Sequence, residues 1–117
     1  MVVETDELSD AEVDRIFQAL ADATRRDIVR RVIEREENVS GLARRYDMSF
    51  AAVQKHVAVL ERSGLVVKRR HGREQVVGPV LETVGRARAL LDELEALWRG
   101  RIDRMHAILG EAEGMED

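Results

Sequence analysis

Residues 49–65 read SFAAVQKHVAVLERSGL, and the reading of this stretch decides the fold. Val53, Val57 and Leu60 recur at i, i+4 and i+7, so on an α-helix they form one apolar stripe. Ala51, Gln54, Lys55, Ala58 and Arg62 fall on the other side, which is narrow, polar and weakly basic. Ser49 has the side chain of a good N-cap and Gly64 the backbone freedom of a good C-cap. Both ends of the helix are therefore written locally.

Working upstream, Asn38 and Ser40 supply turn and cap chemistry before a short helix holding Leu42, Ala43 and Tyr46. Asp47 and Met48 then lead straight to Ser49. A short helix, a turn of about three or four residues and a second helix with a split surface is the pattern of a helix-turn-helix unit. Its second helix, with small residues at its start, has the dimensions to enter a DNA major groove. Glycine is the common residue in that turn; here Asp47 is expected to accept any left-handed backbone.

Further upstream, Asp10 is read as the N-cap of a first helix in which Val13, Ile16, Phe17 and Leu20 face inward. Asp22 or Thr24 caps a second helix, ending near Glu36. Ile28, Val29, Val32 and Ile33 form its inner side, and Arg25, Arg26, Arg30 and Arg31 are left outside. Residues 1–9 have no periodicity and read as a loose acidic tail.

Downstream, residues 65–70 and 74–78 are Val-rich and flank His71 and Gly72, which predicts a β-hairpin. Its tip carries Arg69, Arg70, His71 and Arg73. A basic tip of this kind lies along a phosphate backbone or reaches a minor groove beside a major-groove helix. Pro79 suits the first turn of a closing helix. Along that helix Val84, Ala87, Leu91, Leu94, Trp98, Met105 and Ile108 mark a near-heptad seam interrupted by Arg101, with a bend expected at Gly100. So long an apolar stripe exceeds what a small domain can cover, and the economical partner is a second copy of the chain. The organisation is thus one domain over residues 10–111 and a frayed acidic end over 112–117.

Composition agrees. Aromatic residues make up 3% of the 117, so the core is built from aliphatic side chains, which suits packed helices better than a β-sandwich. The absence of cysteine removes disulfides, thiolate metal sites and cysteine nucleophiles together, and makes the cytoplasm the expected compartment. No apolar run approaches the roughly 20 residues of a membrane span. The net charge of -4 argues at first against a polyanionic partner, but its distribution reverses that impression. Residues 1–22 hold 1 base and 7 acids, residues 23–78 hold 13 and 7, and residues 79–117 hold 5 and 9, giving -6, +6 and -4. The positive segment is the one containing the split-faced helix and the hairpin.

The order helix, helix, helix-turn-helix, basic hairpin, long closing helix resembles the ArsR/SmtB-type winged helix-turn-helix transcriptional repressors. The resemblance is carried by FQALADATRRDIV (residues 17–29), VSGLARRYDMSFAAVQKHVAVLERSGLV (39–66) and KRRHGREQVV (68–77), and by ALWRGRIDRMHAIL (96–109), which is similar to the tail of a cysteine-poor branch. It implies a mostly α fold with a small β-hairpin, in which long N- and C-terminal helices pair two protomers on a palindromic operator. By position, Ser49, Ala51, Ala52, Gln54, Lys55 and His56 then belong to the DNA-reading segment, and Arg70, His71 and Arg73 to the wing tip. Val13, Phe17, Leu91, Leu94, Trp98 and Met105 fall at the dimer interface. Gln54 can pair bidentately with adenine, Lys55 with guanine or phosphate, and the alanine methyls can meet thymine. His56, at the edge of the apolar stripe, is read equally well as a base reader and as a packing or phosphate-contacting residue.

Departures from the family narrow the chemistry. Arsenic-sensing members place paired cysteines in the short helix, where this chain has VSGLARRY, so that mode is excluded. Zinc-type members use acids and histidines on the last helix; here only His106 is present, near Asp103, Asp92 and Glu93, and a lone helical His is far more often surface or packing. No resident metal or cofactor is expected, and the identity of a small-molecule effector stays open. The three histidines are scattered, and neither a phosphate loop nor a nucleophile beside a base is present, which argues against an enzyme. The remaining rivals are a winged-helix protein-interaction module, which would have no reason to keep the basic wing and the Gln54–Lys55 surface, and a metal-responsive repressor with a site on the last helix.

Overall fold

The computed structural model of the chain describes residues 8–114. Its elements are α1 (Asp10–Leu20), α2 (Ala23–Glu34), β1 (Glu37–Asn38), α3 (Val39–Ala43), α4 (Phe50–Arg62), β2 (Val66–His71), β3 (Glu74–Pro79) and α5 (Leu81–Gly114). The chain divides into two compact units, residues 1–86 and 87–117. The tail expected over residues 1–9 falls almost wholly outside the described residues, as does the end of the tail expected over 112–117; α5 continues to Gly114.

In the first unit, α1 starts one residue earlier than Asp10 suggests. Ser9 is the N-cap, its hydroxyl accepting from the Glu12 backbone N–H at 3.2 Å, while the Glu12 carboxylate accepts from the Ser9 N–H at 3.3 Å. This reciprocal capping box satisfies two otherwise orphan donors and holds the Glu12 carboxyl below its usual range. Ile16 and Ala19 are the residues α1 buries, while Phe17 stays more than a third exposed. At eleven residues α1 is short, so among the terminal helices only α5 is long. Asp22 caps α2 by accepting from the Arg25 N–H at 3.0 Å. Ile28, Val29 and Val32 are buried as the spacing requires, but Ile33 is about half exposed.

The core of this unit joins Ile16, Ile28, Val32, Leu42, Val53, Val57, Leu60, Leu65, Val66 and Val77, all at most 2% exposed. Burying a side chain of this kind stabilises by about 1.5–3 kcal/mol, which is what fixes α4 against its neighbours. The sheet has three antiparallel strands in the order β1-β3-β2. The hairpin register runs from Val66 opposite Pro79 to His71 opposite Glu74. That register leaves a two-residue turn, Gly72–Arg73, with Gly72 at φ +64°, the left-handed first position that such turns reserve for glycine. Pro79 therefore ends β3 rather than opening α5, which begins at Leu81. A third strand, β1, adds to the expected hairpin: Glu37 pairs with Val77 and Asn38 with Val76.

From residue 87 onward the described part of the second unit is helix without interruption, and Gly100 produces no break in it.

Candidate nucleic-acid interface

The helix-turn-helix is α3, the turn 44–49 and α4. α3 runs only from Val39 to Ala43, so Tyr46 lies in the turn and not on the helix. No non-glycine residue among those described has a positive φ, so Asp47 does not take the left-handed conformation expected of it. The turn is held from outside. The Tyr46 hydroxyl donates to Asp27 Oδ2 at 2.6 Å, and Arg31 Nε donates to the same oxygen at 2.8 Å. Arg31 also lies 5.5 Å from the centre of the Tyr46 ring. The Tyr46 hydrogen bond and then Arg31 hold the Asp27 carboxyl below the usual carboxylate range. Burial, reinforced by Asp27, pushes the Tyr46 phenol up to about 12. Near the start of the turn, Arg45 forks onto the carboxylate of Glu37, so β1 and the turn are tied together.

α4 then leaves the turn with both caps in place. The Ser49 hydroxyl accepts from the Ala52 N–H at 3.1 Å. At the far end the C-cap is Ser63, and Gly64 follows it at φ +80°. Gly64 N–H donates to the Glu61 carbonyl at 3.0 Å and Leu65 N–H to the Leu60 carbonyl at 3.1 Å, the paired bonds of a Schellman ending. With Val53, Val57 and Leu60 fully buried, α4 packs on α1, α2, α3 and β2. Ser49, Ala51, Gln54, Lys55 and Arg62 are left exposed and Ala52 half-buried.

His56 is half-buried, like Ala52. Its side chain is 21% exposed, with Nδ1 3.3 Å from Arg25 Nη1 and 4.0 Å from Asp22 Oδ1. A guanidinium can only donate, so Nδ1 is the acceptor there. Arg25 is itself a staple: Nε donates to the Ala19 carbonyl at 2.8 Å and Nη2 to the Gln18 carbonyl at 3.0 Å. Arg26 Nη1 likewise reaches the Leu20 carbonyl at 2.7 Å. α1 has no basic residue in its last turn, and these two arginines, expected simply to face solvent, satisfy its terminal carbonyls instead. His56 thus couples α4 to the α1–α2 corner.

The wing stands next to α4. Lys68 on β2 lies 3.8 Å from Glu61 on α4, and Val66 and Val77 anchor the sheet in the core. Arg69, Arg70, His71 and Arg73 are exposed toward and at the tip. Arg69 lies 4.0 Å from Glu36, and Arg70 Nε donates to the Gly72 carbonyl at 3.4 Å. One residue joins the set that the sequence marks: Phe50, the first residue of α4, is 46% exposed. Arg69, read from the sequence as part of the hairpin tip, lies with the other wing cations. Helical spacing alone sets Phe50 three and seven residues before Val53 and Val57, with the buried stripe, so its exposure is visible only in the structure.

The residues expected at a dimer interface divide by unit. In the first, Val13 is half-buried and Phe17 exposed; in the second, Leu91, Leu94, Trp98 and Met105 are all exposed. His106 is exposed as well, and among the described residues no three His, Asp or Glu side chains come close enough to hold a metal ion.

A capped helix with an exposed polar start, set by a turn and flanked by a basic hairpin, defines a winged helix-turn-helix DNA-binding protein. Known proteins agree. A helix-turn-helix domain family matches residues 20–69. The HTH-type transcriptional regulator Rv2034 of Mycobacterium tuberculosis is 41% identical over 85 residues, spanning 73% of this chain and 77% of that one. An ArsR-like transcriptional regulator from Rhodococcus sp. RHA1 superposes with a TM-score of 0.77 at 30% identity, covering 84% of this chain and 92% of the other. A homodimeric winged helix-turn-helix DNA-binding domain from Mycobacterium bovis, a possible ArsR-family regulator, matches at 0.61 and 26% identity over 82% and 91%. The chain belongs to the ArsR family of helix-turn-helix transcriptional regulators. Its work is therefore the recognition of DNA and not catalysis.

Proposed function

We propose that the protein is a cytoplasmic, homodimeric repressor that binds a palindromic operator. The start of α4 enters the major groove, where Gln54 reads adenine, Lys55 meets guanine or phosphate, and Ser49, Ala51 and Ala52 complete the contact. Arg70, His71 and Arg73 hold the backbone at the wing. His56 is omitted from the base-reading set because its ring is engaged by Arg25 and Asp22.

The observation that carries this reading is the combination of an exposed, capped α4 start and an exposed cationic wing in the one part of the chain with net positive charge. Dimerisation uses Val13 and Phe17 of α1 and Leu91, Leu94, Trp98 and Met105 of α5, supported by the exposure of all but the half-buried Val13 and by the homodimeric M. bovis domain. Residues 10–111 act as one functional domain. Two half-sites then lie about one helical turn, or a multiple of it, apart.

Footprinting of the purified protein on the DNA upstream of its own gene tests the reading. Two protected half-sites related by a dyad are expected. Protection of every duplex alike would rule out operator recognition.

A further inference from the structure

We propose that Phe50 determines part of the operator sequence by packing on the 5-methyl group of a thymine in the major groove. The inference rests on the DNA-binding reading of α4 and adds a residue to it. Phe50 is the first residue of α4, yet it is 46% exposed, while Val53 and Val57 on the adjoining stripe are fully buried. The chain has two phenylalanines in 117 residues, and here it holds one in solvent beside two alanines.

Three further facts turn this patch toward DNA. The first turn of α4 carries no acid, although the helix dipole would favour one there, so nothing on that turn repels a phosphate. The N-terminal residues of a recognition helix are those that reach base edges. Gln54 lies one turn further on, so Phe50 and Gln54 occupy the same flank of the helix. In a major groove the polar partner for Gln54 is adenine, and the apolar feature available to Phe50 is the thymine methyl. The two residues together favour A·T-containing steps in each half-site.

The test uses the full chain. An operator is first selected from a random duplex pool with the wild-type protein, and each half-site thymine is then replaced singly by deoxyuridine, which lacks only the methyl group. One thymine per half-site is expected whose replacement weakens wild-type binding about fourfold, the weight of one buried methyl group. Phe50→Ala should bind the original operator more weakly and show no additional weakening on the deoxyuridine duplex. Phe50→Gln, polar and compatible with a helix, should behave likewise and covers the case in which truncation harms folding; urea midpoints of both variants identify that case. Equal weakening on deoxyuridine for wild type and variants, or no thymine that matters to the wild type, would overturn the role of Phe50 while leaving operator binding intact. A selection that enriches no sequence overturns the DNA-reading function, and Phe50's role with it.

Discussion

Helix α4 buries Val53, Val57 and Leu60 completely within thirteen residues, whereas the part of α5 in the second unit leaves Leu91, Leu94, Leu97, Trp98 and Met105 more than half exposed. Both helices are amphipathic by sequence, so periodicity does not separate them. What separates them is where the apolar stripe finds its complement. α4 is short, capped at both ends and packed on four elements of the first unit. Its stability comes from tertiary packing, the usual source for helices of this length. α5 has 34 residues and exposes large apolar side chains from Leu91 to Leu109, the surface on which the proposed dimer rests. The same sequence pattern thus belongs to a packed helix of the helix-turn-helix in one case and, in the dimer proposed above, to an assembly helix in the other.

The largest effect that can break this comparison lies in α4. Leu60→Ala should destabilise the fold by about 2–5 kcal/mol in urea titration, because the site is fully enclosed. A change below about 1 kcal/mol would mean that α4 is not anchored as described. The pair Leu94→Ala with Trp98→Ala should leave far-UV helicity largely intact but raise the dimer dissociation constant at least about 30-fold, as removal of interface anchors does. Light scattering that finds the wild type already monomeric at micromolar concentration would remove α5's assembly role.

A smaller effect is expected at the wing. Arg70→Ala with Arg73→Ala should weaken binding to all duplexes and lower the salt slope by about 1 for each phosphate no longer neutralised. Gln54→Ala should instead blur sequence preference. If both variants bind as wild type does, the roles given to α4 and the wing fail together.

The smallest effect concerns the turn. Tyr46→Phe should cost about 1 kcal/mol by removing the hydrogen bond to Asp27, less if solvent screens the partly exposed pair. The pH dependence has two limbs. The folded state lowers the Asp27 pKa, so that contribution is present at neutral pH and is lost as the pH falls through and below the ordinary value of 3.8. It raises the Tyr46 pKa from 10.0 to about 12, so that contribution is full below pH 10 and is lost as the pH rises toward 12. Stability profiles of Tyr46→Phe that keep the alkaline limb would show that another group causes it.

The sequence by itself determined what depends on neighbours a few residues apart. The α4 stripe, the Ser49 cap, the left-handed Gly64 and the hairpin tip at Gly72 follow from helical spacing and from glycine's freedom at positive φ. The +6 segment and the motif order led to the DNA-reading surface proposed above. Only the tertiary structure decided what depends on distant partners. β1 is two polar residues with no strand signature, and it exists because β3 offers a free edge. Tyr46 reaches Asp27 across 19 residues and His56 reaches Arg25 across 31. Arg25 and Arg26 looked like solvent charges until the end of α1 placed bare carbonyls beside them. Hydrogen-bond satisfaction of a helix end is set by whatever the fold brings near it, and spacing along one chain carries no record of that.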